Sequence, residues 1–445
     1  MVVFENILKH GQFYLVLFGL VIASLILKII AGPLFVVLIF LLWKKDRWTE
    51  ILIVFSAFLI MSDSEIPSLG WVKSFKNIMI LEVFALFYSD RKRLKQTNSL
   101  FLKFLPFIII SFIALYASVK LESGLMRGVS YLLLFIMIPN IVSHCYKENG
   151  WSILEDLTVF YLMVLILSVF LKYFIPSVAI SEVHGGRMMG VFGNPNGLGL
   201  FVILTFIFFH VSVFGKKISL QWYWLGLFYM MILMCALWTG SRNCLMSILV
   251  FVVLSQAFKY SSFIGIVFFV VMILFINPIL NFLVSTVQFF GLGESLRIDN
   301  VFEGSGRIVV WRFAWMNIQE YYLLGRGWGY DLSLIDANRL SLSKQGHEGG
   351  VHNTYLIMWL NSGLIGLIAF FRGFFTAFIG ASKNSKFAFP FMFAVLTSIS
   401  FEPWLAASLN PYTTMFLVLL TLMIEDKGSR TADDSEHSQT TLELN

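Results

Sequence analysis

Apolar runs recur along the whole chain, separated by short polar connections. They fall at residues 12–30, 33–43, 48–62, 74–89, 100–118, 128–144, 152–175, 196–214, 221–239, 242–258, 262–281, 352–371, 386–401 and 409–424. A helical membrane crossing takes about 20 residues, and several of these runs are shorter. The pattern predicts an all-α polytopic transmembrane bundle of about 12–14 spans. The count is open at Gly32-Pro33, where two short runs form either two spans or one broken, re-entrant element. The run from Phe13 to Ile30 is too long for a signal-peptide core and no small-residue cleavage site follows it, so it is expected to be a first, uncleaved span.

The connections alternate in charge. One set carries Lys44, Lys45 and Arg47, then Arg91, Lys92, Arg93 and Lys95, then Lys147, Lys216, Lys217, Lys259, Lys383 and Lys386. The other carries Asp63, Glu65, Glu122, Glu182 and Glu402. Basic connections stay in the cytoplasm, so both termini are expected there. The chain then divides into N-terminal spans (1–175), core spans (176–281), a long external loop (282–351), C-terminal spans (352–424) and a polar cytoplasmic tail (425–445) expected to be disordered. A connection as long as the external loop is usually functional. Within it Ile308, Trp311, Trp315, Ile318 and Tyr322 follow the spacing of one helix face, with Ser305 placed to cap the helix and Gly325 to end it. Such a face suits either the membrane surface or packing on the spans.

Composition strengthens this reading. The chain is 58% hydrophobic and 13% charged, with 47 Phe and a mean hydropathy of +0.81. Soluble proteins carry roughly 25% charged residues, so lipid must be the solvent for much of the surface. The net charge of +6 fits an excess of Lys and Arg on cytoplasmic loops and calls for no nucleic acid partner. Cys145, Cys235 and Cys244 are scattered, which argues against a disulfide framework or a thiolate metal site.

Arginines on the external side break the charge rule, and three sit where helices begin. In GRMMGVFGNPNGLG, residues 186–199, Asn194 suits an N-cap and Pro195 the first helical position, with Arg187 just upstream. In TGSR, Ser241 caps a span that has Arg242 in its first turn. In GSGR, Arg307 opens the loop helix. Backbone N–H groups, a helix dipole and a guanidinium together bind phosphate. A single such place reads as a capped helix with an arginine reaching for headgroups. Three on one side point to an anionic lipid headgroup, a diphosphate. A fourth motif, HNTYLIMWLNSGLIG, opens the span at 352, with His352, Tyr355, Trp359, Gly363 and Gly366 on one helix face. His352 can take a proton near neutral pH, and the glycines admit a neighbouring helix. Two other motifs carry less. His347-Glu348 and His352 have the wrong spacing for a zinc protease helix. Asp63 and Glu65 offer too few ligands for a metal and read as a solvated loop. No metal and no cofactor are expected.

The four motifs in this order resemble the O-antigen ligase and O-antigen polymerase superfamily over residues 180–370. The most specific piece is His352, Asn353, Gly363 and Gly366 after a long loop. Arg187, Gly190, Phe192, Asn194, Pro195 and Asn196, then Ser241-Arg242, add to it. The resemblance implies a multi-span, metal-independent glycosyltransferase at the external face of a bacterial cytoplasmic membrane. Its donor would be an oligosaccharide on undecaprenyl diphosphate, and its partners a glycan acceptor, membrane lipids and other polysaccharide-assembly proteins. A surface-polysaccharide polymerase is the reading preferred here. A ligase acting on the lipid A core is the alternative, and a lipid-linked oligosaccharide flippase a further one. In this reading Arg187, Arg242 and Arg307 hold the diphosphate, His352 orients or deprotonates the acceptor hydroxyl, and Asn353 positions His352 or the donor sugar. Asn194, Pro195, Asn196, Ser241, Gly363 and Gly366 support them.

Overall fold

The computed structural model describes residues 10–89, 98–215, 218–275, 307–345, 349–407 and 409–426. These are almost entirely helical. The longer helices are α1 Gly11–Leu27, α2 Ala31–Lys44, α3 Trp48–Asp63, α4 Val72–Tyr88, α5 Ser99–Ile113, α6 Leu121–Asn149, α7 Ser152–Phe174, α8 Pro195–Phe214, α9 Trp222–Trp238, α10 Arg242–Tyr260, α11 Ser262–Leu274, α12 Arg307–Glu320, α13 Tyr330–Lys344, α14 Thr354–Ser382, α15 Ala388–Ile399 and α16 Pro411–Glu425. Between α7 and α8 two short strands pair antiparallel, β1 Ile180–Ser181 with β2 Arg187–Met188.

The all-α, polytopic expectation is met. Among the described residues seven helical stretches, counting Gly11–Lys44 as one, are long and apolar enough to cross a membrane. Shorter apolar helices accompany them at Trp222–Trp238, Ser262–Met272, Ala388–Ile399 and Pro411–Glu425. The open question at Gly32-Pro33 resolves into a hairpin. Lys28 takes a positive φ of 53°, and the chain reverses there. The start of α1 and the end of α2 then meet, since Arg47 stands over the Phe13 ring at 5.9 Å and His10 Nδ1 lies 3.3 Å from Glu50.

Helix starts follow the capping chemistry of the sequence. Side-chain oxygens of Asn98, Asn194, Ser241, Asn353 and Asn410 each accept a backbone N–H of the turn they open. Helix α8 is the hub, with 89% of its apolar window buried. It approaches α10 closely at Gly199, where a Cβ would stand 3.0 Å from the Ser241 side chain.

The connection between α11 and α14 departs from expectation in three ways. It holds two helices among the described residues, and α13 was not foreseen. Helix α12 buries Val310, Ala314 and Ile318, whereas Ile308 is 48% and Trp315 40% exposed. The inward stripe is set by the small Ala314, which lets α12 lie against α14, and Trp315 reaches sideways to the Trp359 ring. The expected cap Ser305 lies outside the described residues, and Gly325 falls beyond the helix end.

The third departure is the largest. The segment after α12 does not stay on the surface. Trp328 is buried against Phe107 and Tyr131, and Gly124 on α6 makes room, since a Cβ there would meet the Trp328 carbonyl at 3.0 Å. Helix α14 breaks to receive this segment. Gly363 has φ 67° and ψ −177°, a conformation open essentially to glycine alone. Around the break Leu364 N donates to Tyr322 O (2.8 Å), Ile365 N to Leu323 O (3.2 Å), Arg326 N to Leu360 O (2.9 Å) and Gly327 N to Asn361 O (2.8 Å). The expected single face through His352, Tyr355, Trp359, Gly363 and Gly366 is therefore corrected. His352 lies before the N-cap with φ 49°, and Gly363 serves backbone pairing with a loop. Gly366 is helical, and a Cβ there would meet Ser362 of its own helix at 2.3 Å before Ile110 of α5 at 3.5 Å.

Candidate functional site

The motif at 186–199 builds one wall of a polar cluster. Arg187 sits on β2, whose pairing with β1 turns the chain back toward α8. Its Nε donates to the Thr239 carbonyl (2.5 Å) and its Nη2 to Asn196 Oδ1 (2.8 Å). The first bond ties the first arginine motif to the second, because Thr239 begins TGSR. Asn194 caps α8 through Gly197 N at 2.7 Å, and Pro195 occupies the first helical position as expected. Ser241 caps α10 through Cys244 N at 3.4 Å, which holds half-buried Arg242 in the first turn.

Glu402 is the centre of the cluster. Its side chain is only 8% exposed. Its Oε1 accepts from Asn196 Nδ2 (3.0 Å) and from Arg307 Nη2 (2.8 Å). Its Oε2 lies 3.6 Å from His352 Nδ1. Its backbone carbonyl accepts from Thr354 Oγ1 (2.9 Å), in the first turn of α14. One carboxylate thus joins residues 196, 307 and 352, which belong to three separate motifs. Asn353 Oδ1 caps α14 through Leu356 N, and Asn353 Nδ2 donates to the Ser400 carbonyl at 3.0 Å. Asn353 therefore ties the segment that carries His352 to the one that carries Glu402.

The sequence motifs place cations here, and the structure supplies the partner that keeps them together. Arg187, Arg307, Arg242 and His352 gather at one end of the bundle with one buried carboxylate among them. A buried carboxylate is costly unless hydrogen bonded, and this one has a charged and a neutral donor on Oε1 and the His352 ring beside Oε2. The excess of guanidinium charge suits an anion with several acceptor oxygens. Nδ1 of His352 faces Glu402. Gly349 packs against the opposite edge of the ring, where a Cβ would stand 2.9 Å from Nε2.

Asp63 is tied into the structure, whereas Glu65 is exposed, as a solvated loop residue is. Asp63 accepts from Tyr412 Oη (2.5 Å), and its carbonyl accepts from Gly193 N (3.1 Å). Gly193 leaves no room for a side chain, with Glu65 Cγ 2.4 Å from its Cβ position. Both acids brace the turn that presents Asn194 and Asn196. Beside them opens a cleft of about 810 Å³, lined by Glu65, Ser181, Glu182, His184, Met189 and Phe192 among others. It has carboxylates, a hydroxyl and an aromatic ring, and no Lys or Arg, so its chemistry suits sugar hydroxyls rather than phosphate.

Glu402 was legible in the sequence only as one acid in an external connection. Its closeness to residues 206 and 95 positions away carries no local signal. The Glu-Pro-Trp turn at 402–404 just before a capped Asn410-Pro411 start was the one hint. Residues 346–348, which hold the failed zinc-protease pattern, lie outside the described residues. Sequence spacing offered no metal ligand set, yet the fold brings Asp46, His144 and Glu148 together with ligand atoms within 4.8 Å of one another. That trio sits before the start of α3, whereas Glu402's neighbourhood adjoins its end at Asp63. Sixteen residues of helix, about 24 Å, separate them.

Residues 225–371 match the family model described as O-antigen ligase. The match includes Arg242, Arg307, His352, Asn353, Gly363 and Gly366, and stops short of Arg187 and Glu402. No curated protein matches the chain.

Proposed function

With the O-antigen ligase and polymerase superfamily as the supported family, we propose that this membrane protein transfers a glycan from undecaprenyl diphosphate to a sugar hydroxyl. The reaction class is glycosyl transfer, and a surface-polysaccharide polymerase is the preferred form. The observation that carries it is the meeting of Arg187, Asn196, Arg307 and His352 around one buried carboxylate, Glu402.

In this proposal the diphosphate rests against Arg187, Arg242 and Arg307. Their charge stabilises the diphosphate as the bond to the anomeric carbon breaks. The acceptor hydroxyl approaches from the opposite face of the sugar, and its proton passes to His352 or to a neighbouring water. Glu402 holds Arg307 and lies beside Nδ1 of His352, so its charge favours a proton on the ring and links base and anion site. The 810 Å³ cleft beside the Asn194 turn takes the glycan. The charge alternation of the connections puts this end on the external face of the cytoplasmic membrane.

The test is direct. Purified protein in nanodiscs receives a defined undecaprenyl-diphosphate oligosaccharide, and products are sized. Longer lipid-linked glycans are expected. The family description favours one competing reading, transfer to a lipid A core, and a second arm supplies that acceptor. Glycan appearing only on the core would replace the polymerase by a ligase. Neither product, together with movement of labelled lipid across liposomes, would replace both by a flippase.

A further inference from the structure

A second cavity, separate from the Glu402 cluster, lies between α4 and α6. It measures about 270 Å³ and is lined by Lys76, Asn77, Arg127, Ser130, Tyr131 and Trp328, with Ala406, Ala407 and Leu409 closing one side. Two cations, an amide and a hydroxyl give it the chemistry of a phosphate pocket. Lys76 Nζ donates to the Leu409 carbonyl at 3.1 Å, and Arg127 Nη1 lies 3.9 Å from buried Asp331. Lys73 stands one turn before Lys76 and adds positive charge, while Asp63 is near enough to offset part of it.

This pocket opens into an apolar groove of about 240 Å³ along the same two helices. The two share Asn77, Met126 and Ser130. The groove walls are Ile80, Leu81, Leu125, Val129 and Leu133. Leu81 is 53% and Met126 49% exposed, so the groove faces outward from the bundle. Lys76 lies four residues inside the start of α4 and Arg127 six inside α6, about 6–9 Å along each helix. A headgroup layer is about 5–8 Å thick, so with these helix starts at the membrane surface both cations lie where phosphates meet hydrocarbon. A polar pocket at phosphate depth running into one apolar channel fits a lipid with a phosphorylated head and a single chain.

Its placement gives the lipid a purpose. Glu402 begins the connection whose Ala406, Ala407 and Leu409 line the pocket. Five residues from Glu402 to Ala407 span at most about 18 Å. Trp328, on the opposite wall, belongs to the segment that follows the Arg307 helix. A glycan rooted in this pocket therefore reaches His352 over a short distance.

Resting on the glycosyl-transfer reading above, we propose that this pocket and groove hold the lipid anchor of the acceptor, a second polyprenyl diphosphate. The diphosphate sits between Lys76 and Arg127, and the isoprenoid chain runs down the groove. The single channel takes one chain and excludes a lipid with several acyl chains. The pocket is too small for a glycan as well, so the sugars extend along residues 402–407 toward His352.

The test reads binding, so it stands apart from turnover. Full-length protein in phosphatidylcholine nanodiscs is given a polyprenyl-diphosphate oligosaccharide with a diazirine in its chain, and labelled peptides are mapped. Wild type is expected to be labelled on α4 and α6, around Leu81 and Met126, and separately near Arg187. Lys76→Ala with Arg127→Ala should lower the α4 and α6 labelling at least tenfold and leave labelling near Arg187 intact. Val129→Trp, which fills the groove and touches no cation, should do the same, and thermal unfolding checks that both variants fold. Absence of label on α4 and α6 in wild type overturns the proposal. So does full displacement of that label by phosphatidylglycerol, which would make it a bilayer-lipid site. If labelling follows the expectation while no glycan is ever transferred, the anchor site stands and the glycosyl-transfer reading falls.

Discussion

Replacing Gly363 by alanine probes the most constrained point of the structure. A Cβ there would stand 2.1 Å from the Leu323 carbonyl oxygen and 2.4 Å from Leu324 N, both backbone atoms that cannot swing aside. The backbone conformation itself costs about 1–3 kcal/mol for any other residue. Relieving the clash means separating residues 322–327 from 360–365, which holds four backbone hydrogen bonds. At about 0.5–1.5 kcal/mol net each, their loss adds roughly 2–6 kcal/mol. The sum, about 3–9 kcal/mol, rivals the total stability of an ordinary domain. Local release of the segment is the cheaper response, so Trp328 should leave its slot against Phe107 and Tyr131. The assay is limited proteolysis and cysteine labelling at Trp328→Cys, with and without Gly363→Ala, alongside thermal unfolding in detergent. Gly380→Ala is the control, because the same helix has nothing within 4 Å of that Cβ position; a helical glycine replaced by alanine there should gain about 0.5–1 kcal/mol. Gly363→Ala with unchanged labelling and an unchanged midpoint would refute the account of the helix break.

Arg187→Ala should lose most transfer activity at near-normal expression, and Arg187→Lys should recover part, since lysine keeps the charge and loses the fork that spans Thr239 and Asn196; equal activity of alanine and wild type in a glycan-elongation assay would remove Arg187 from the anion site. Glu402→Gln keeps the shape but removes the charge facing Arg307 and His352, so elongation should fall about tenfold to a hundredfold, the equivalent of roughly 1.5–3 kcal/mol for hydrogen bonds to a charged group; a wild-type rate would show that the carboxylate does no more than fill space. His352→Ala should cut transfer by about 10²–10⁴-fold while donor binding, measured on the same purified variant, stays nearly intact; a parallel loss of binding would move His352 into the anion site. EDTA should leave elongation unchanged, and abolition reversed by magnesium or manganese would redirect attention to Asp46, His144 and Glu148.

Spans were readable because lipid leaves little choice: a buried backbone must bond to itself, and apolar length reports it directly. Helix starts were readable for a similar reason, since Asn194, Ser241 and Asn353 satisfy N–H groups that no helix can pair internally. The cations of the site followed from their presence where positive charge is unusual. Three things were not readable. Glu402 meets Asn196 and Arg307 only after the chain has closed on itself, and one acid in a connection carries no periodicity. The buried face of α12 depended on what α14 offered it, so the aromatic stripe was a poor guide and Ala314 a better one. The role of Gly363 was hidden because a glycine in an apolar run reads equally as a helix contact or as a break, and only φ separates the two.

The pairing of residues 322–327 with the α14 break divides one long connection into two parts. Upstream of the clamp, one residue added between Arg307 and Tyr322 would rotate α12 by about 100° and carry Arg307 away from Glu402. Downstream, α13 buries Leu334, Ile335 and Leu342 and leaves Leu340 82% exposed. Substitutions, engineered tags or new recognition elements belong on that outward face, and not on the arm that carries Arg307.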